Sequence, residues 1–97
     1  MKDYIKSRLF ERDMLVEYVS KTKALEIMQT QITELEKNID ALDEDIEELE
    51  DSGLDRTVEI LCKTRNSLNL ERLKIEIHIC KLKLWLAEFE LERQLAR

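Results

Sequence analysis

A heptad repeat between residues 25 and 49 constrains the fold of this chain more than any other feature of its sequence. Apolar residues recur there at gaps that alternate between three and four, at heptad positions a and d: Leu25, Met28, Ile32, Leu35, Ile39, Leu42, Ile46 and Leu49. The positions between them are mostly polar, which predicts a helix with one narrow apolar stripe. Such a helix gains most of its stability from a partner that covers the stripe.

The repeat stops at a segment that is typical of a turn between two helices. Gly53 is the only glycine, and the chain has no proline, which argues against β-sandwiches and barrels with their many tight turns. Gly53 fits a left-handed C′ residue, with Leu49 and Leu54 forming the apolar contact of a Schellman motif. Asp55 can then cap the next helix. A connection this short predicts antiparallel helices.

The second helix is predicted from about residue 56 to residue 96, and a second seam repeats along it. Its members are Leu54, Val58, Leu61, Leu68, Ile75, Ile79, Leu82, Leu86 and Phe89. Arg65 and Arg72 interrupt this seam, and an antiparallel register that opposes residues 52 and 56 places them near Asp43 and Glu36. Two interpretations stay open: ion pairs that fix the register, or Arg stems that cover the seam with their charged heads in water.

Part of the second helix also alternates in the manner of a strand, over residues 73–86. No Gly, Pro, Asn or Asp bounds this stretch. Because a strand needs an end, and because the same residues fit the helical register, we favour a helix.

A surplus apolar row lies on the second helix, at heptad positions f and b and roughly opposite its seam. It consists of Leu70, Leu73, Ile77, Cys80, Leu84, Ala87 and Leu91. Soluble monomers rarely expose a patch of this length, so we expect it to be covered. We therefore predict that Leu70, Leu73, Ile77, Cys80, Leu84 and Leu91 form an oligomer interface.

Two candidates could cover this row. One is a second copy of the chain, which gives a homodimer with an antiparallel four-helix bundle. The other is the apolar segment 4–19 folded back into a three-helix bundle. The turn would then fall at residues 20–23, which lack Gly, Pro, Asn and Asp. We favour the dimer, built from one all-α domain over residues 1–97: a helix over about 3–52, a turn near 52–55 and a helix over about 56–96.

Acidic residues concentrate around the predicted turn. Residues 38–59 hold ten acids and one base, a net charge of −9, so the rest of this −6 chain carries +3. Asp43, Asp45, Glu47 and Glu48 are the candidate partner-binding residues of this tip. The alternative interpretation is a solvated end that keeps the hairpin soluble.

No constellation for catalysis or metal binding is found in the sequence. Cys62 and Cys80 lie about 27 Å apart on one straight helix, too far for a disulfide. His78 is the only histidine, without a Glu three residues before it, and no Cys-x-x-Cys or Gly-rich phosphate loop occurs. We expect no catalytic residue, metal or cofactor. Free thiols, with no export signal or membrane span, favour the cytoplasm.

The function predicted from these features is binding rather than catalysis. A helical module for protein–protein interaction, acting as an oligomeric adaptor, regulator or inhibitor, explains the surplus row. The alternative is an acidic decoy whose tip blocks a nucleic-acid-binding surface on a target protein. Direct binding to nucleic acid is not expected of a chain with a pI near 4.9.

Overall fold

The computed structural model describes the backbone of residues 2–95 and the side chains of residues 11–95. Helix α1 covers Lys2–Leu49 and helix α2 covers Asp55–Leu95, joined by residues 50–54. The two helices pack antiparallel in a hairpin that measures 78 × 19 × 14 Å. The predicted all-α hairpin is confirmed.

Both helices continue through the stretches for which another structure was considered. Residues 20–23 are helical within α1, so the N-terminal segment does not fold back into a third helix. Residues 73–86 are helical within α2. The chain therefore presents two helices and one turn over the residues that the structure describes.

The core is a single line of contacts between the two seams. Ile39 and Ile46 of α1, with Ile79 and Phe89 of α2, are its most buried side chains. A two-helix hairpin covers each stripe from one side only, so other seam residues stay half-buried. These are Leu25, Met28, Ile32, Leu35, Leu42 and Leu49 of α1, and Val58, Leu61, Leu68, Ile75, Leu82 and Leu86 of α2.

The register of the two helices matches the prediction near the turn and is kept toward the open end. The Nη1 group of Arg65 donates a hydrogen bond to Oδ1 of Asp43 over 3.1 Å. The rings of Tyr18 and Phe89 stack with their centroids 5.0 Å apart. The residue numbers of these two pairs add to 108 and 107, so opposed residues stay in step along the hairpin.

The second ion pair of the register-fixing interpretation does not form. Arg72 was expected near Glu36, but its Nε atom lies 3.8 Å from Oε1 of Glu76, one turn along its own helix. That Nε is buried and makes no hydrogen bond. Arg72 thus follows the other interpretation in part, because its side chain is only 31 % exposed and forms its ion pair within α2.

The turn differs from the predicted Schellman motif, although Gly53 is left-handed as expected, with φ of +78°. Ser52 ends α1 instead: its backbone N–H and its hydroxyl both donate to the carbonyl of Leu49, over 3.1 and 2.6 Å. The N–H of Leu54 is 3.4 Å from the Ser52 hydroxyl, and the Leu54 side chain is exposed. The first carbonyl of α2 to accept a helical bond is that of Leu54, so Asp55 lies inside the helix rather than capping it.

Candidate functional site on the outer face of helix α2

The surplus apolar residues of α2 form one exposed row on the side of the helix that faces away from α1. We call Leu70, Leu73, Ile77, Cys80, Leu84, Ala87 and Leu91 the outer row; all seven are exposed. The row extends for about 32 Å at the helical rise. The structure thus brings the six predicted interface residues onto one surface, and their role in an oligomer stays a prediction.

Two charged stripes border the outer row. Lys74, Lys81 and Glu88 lie on one side, and Glu76, Lys83 and Glu90 lie on the other. All are exposed except Glu76, which is half-buried beside Arg72. Both signs of charge thus occur on both borders. An apolar strip with such borders is suited to the apolar face of another amphipathic helix.

The open end of the hairpin exposes apolar residues on α1 as well. Leu15, Val16 and Val19 are exposed there, near the level at which α2 ends. They belong to the apolar segment 4–19, which the alternative three-helix bundle would bury. In the continuous helix they lie outside positions a and d, which is the signal that could have identified them as surface.

An aromatic cluster closes the hairpin near its open end, and sequence reasoning did not bring its members together. Phe89 stacks on Tyr18 from α1 and on Trp85 from α2, with centroid distances of 5.0 and 5.4 Å. The Nζ atom of Lys21 lies 4.9 Å from the centroid of the Trp85 ring, a cation–π contact. The cluster holds α2 against α1 at the level of Leu84 and Leu91. The part of the outer row at this level therefore lies on a segment of α2 that is packed against α1.

The predicted tip residues are all exposed, but they do not form one equivalent group. Asp43 is bound to Arg65 across the hairpin. Asp45, Glu47 and Glu48 form no ion pair within the part of the chain that the structure describes. Gly53, the predicted structural turn residue, lies just beyond them.

The side chains of residues 11–95 include no cluster suited to metal binding. Among the described residues, no group of three His, Cys, Asp or Glu side chains is placed to hold a metal ion. Cys62 is half-buried, Cys80 is exposed and His78 is exposed. Neither helix, as far as it is described, has the length and apolar character needed to cross a membrane.

Comparison with known proteins gave no match: no family model, no curated protein and no solved structure is significantly similar to this chain.

Proposed function

We propose that this protein is a non-enzymatic helical interaction module, an adaptor, regulator or inhibitor that acts by binding a protein through the outer row. The observation that carries the proposal is the continuous exposed row itself, on an extended hairpin with many exposed apolar residues. A soluble chain that keeps five exposed Leu and Ile side chains in one line gains from a partner that covers them.

The size of this gain supports a binding role. Fully covering one half-exposed Leu or Ile contributes about 2 kcal/mol at about 25 cal/mol per Å² of apolar surface. Five such residues would together contribute about 10 kcal/mol. This gain is comparable to the free-energy cost of association, which includes lost translational and rotational freedom. A partner that covers only part of the row would therefore bind weakly, so the proposal requires a helix-length contact.

The test is affinity capture with three forms of the purified chain. Leu84→Glu places a charge in the middle of the outer row, where burial of an unpaired carboxylate is costly. Ile27→Glu is the matched control, because Ile27 on α1 is 60 % exposed and Leu84 is 62 % exposed. We expect wild type and Ile27→Glu to retain the same bound protein, and Leu84→Glu to lose it. Equal capture by all three forms would overturn the proposal.

The acidic decoy is the second candidate function, and the unpaired state of Asp45, Glu47 and Glu48 within the described chain favours it. Salt separates the two functions, because the Debye length falls from about 14 Å at 50 mM to about 4 Å at 500 mM salt. Binding through the tip should be lost over that range. Binding through the outer row should persist.

A further inference from the structure

We infer that the outer row is occupied by a second copy of this chain, packed antiparallel to the first, so that the two acidic tips lie at opposite ends of a four-helix dimer. This inference rests on the proposed function, because it names the occupant of the same surface. Three observations carry it: the order of large and small residues in the row, its area, and the distribution of charge along the hairpin.

The outer row is complementary to itself when one copy is reversed. If Leu84 of one copy is opposed to Cys80 of the other, Ile77 is opposed to Ala87, since opposed residue numbers keep a constant sum along antiparallel helices. Both pairs set a large side chain against a small one, which allows close packing. In the same alignment Leu73 meets Leu91, and the row is covered for almost its whole length.

The area is sufficient for a specific dimer. The exposed parts of the seven side chains amount to about 600 Å² per copy, or about 1,200 Å² for two, which reaches the lower limit of stable protein interfaces. The stems of Lys74, Lys81 and Lys83, all on the borders of the row, would add to this. A second copy always presents a surface of matching length.

The uneven distribution of charge along the hairpin favours the antiparallel orientation. Residues 38–59 carry −9 at one end of a molecule 78 Å long, and the rest of the chain carries +3. A parallel dimer would place both tips side by side. The antiparallel dimer separates the tips by about 90 Å at the helical rise. It also brings each tip to the same level along the dimer axis as the other copy's residues 2–12, a segment with four bases and two acids.

A parallel dimer in register is the arrangement that the test must exclude. It would bury the same row and would bring Glu76 near Lys81 and Lys83 near Glu88 across the interface, as parallel heptads do. Those exposed pairs contribute little. It would also place each residue of the row opposite the same residue of the other copy. This difference allows the two orientations to be distinguished.

The first measurement is sedimentation equilibrium at micromolar concentration. We expect wild type and Ile27→Glu to be dimers, and Leu84→Glu to be a monomer that keeps most of its helical circular dichroism. A monomeric wild type would overturn the inference. If that monomer still captured a protein through Leu84, the proposed function would stand without it. If Leu84→Glu loses its helices, the cysteine measurement below decides alone.

The second measurement uses two single-cysteine variants and mild oxidation. The first keeps Cys80 and carries Cys62→Ser. The second carries Cys62→Ser, Cys80→Ala and Leu84→Cys. In the antiparallel dimer residue 80 faces residue 84 of the other copy, so a mixture should form the mixed disulfide at least tenfold faster than either variant forms its own. In a parallel dimer each variant would cross-link to itself. Dominant self-cross-linking, or no cross-link in any sample, would overturn the inference.

Discussion

Gly53 is the turn residue whose backbone conformation most restricts substitution. Its φ is +78°, and a Cβ atom there would meet nothing within 4 Å. We therefore expect Gly53→Val to lower the free energy of unfolding by about 1 kcal/mol or more through backbone strain alone. Gly53→Asn is the control, because Asn tolerates the left-handed region better. Urea denaturation at one fixed protein concentration measures both, and equal stability of wild type and the Val variant would contradict the prediction.

The two arginines of the second seam should respond to substitution in opposite ways. Arg72 has a buried Nε without a hydrogen bond, whereas Arg65 donates one to Asp43. Substitution of either arginine by Met keeps an unbranched apolar side chain and removes the charge. We expect Arg72→Met to raise the free energy of unfolding by about 0.5–1 kcal/mol, and Arg65→Met to lower it by up to about 1 kcal/mol. Thermal and urea unfolding would check this, and a loss of stability in Arg72→Met would refute it.

These residues also show how far sequence reasoning reaches. Helical rise alone predicts the pair of Arg65 and Asp43, because opposed residues of the two helices stay in one register. Arg72 and Glu36 are opposed in the same register, but Glu76 competes for Arg72 from the adjacent turn of the same helix. The Ser52 hydroxyl that ends α1 could not be chosen in advance, because several local hydrogen-bonding patterns suit the same residues.

At the scale of elements, both helices and both faces of α2 were predictable, since periodicity reports which residues share a face. The aromatic cluster was not. Its rings come from positions that periodicity treats separately. Tyr18 lies in a segment for which a fold-back was the alternative, Trp85 lies beside the seam and Phe89 lies within it. Only the continuous course of α1 past residue 20 brings them together.

The cluster gives a prediction about the open end of the hairpin. Phe89 is 8 % exposed and lies between Tyr18 and Trp85. Phe89→Ala should lower the free energy of unfolding by about 3 kcal/mol, the usual cost of emptying a buried aromatic site. Trp85 is the only tryptophan, so its fluorescence should shift toward that of exposed indole. Ile60→Ala, at a site that is exposed on the same helix, should change neither reading.

At the scale of the whole molecule, the hairpin is long, thin and electrically asymmetric. Its buried side chains form one line between the two helices, so a monomer has a small core. Pairing two copies through the outer row would add a third helix–helix interface to the two that lie within the hairpins. Stability and association are then linked, and unfolding should depend on protein concentration. Leu84→Glu is the background in which the stability of the hairpin alone can be measured, if it is monomeric.

In that background the acidic tip can be tested for both stability and binding. Neutralising Asp45, Glu47 and Glu48 to Asn, Gln and Gln should raise the free energy of unfolding by about 0.5 kcal/mol, because acids near the end of α1 oppose the helix dipole and repel their neighbours. Adding Asp43→Asn should return part of this gain, because the pair with Arg65 is lost. A four-site variant more stable than the three-site variant would contradict this.

The same tip variants, now with Leu84 restored, separate the two candidate functions. If the outer row alone binds, capture of the partner by the three-site variant should equal that by wild type at low salt, where electrostatic attraction is strongest. If the tip binds, capture should fall by tenfold or more while the melting temperature holds or rises. The substitutions lie near the turn, and the outer row begins only at Leu70, so they change no residue of the row. Such a loss would assign recognition to Asp45, Glu47 and Glu48.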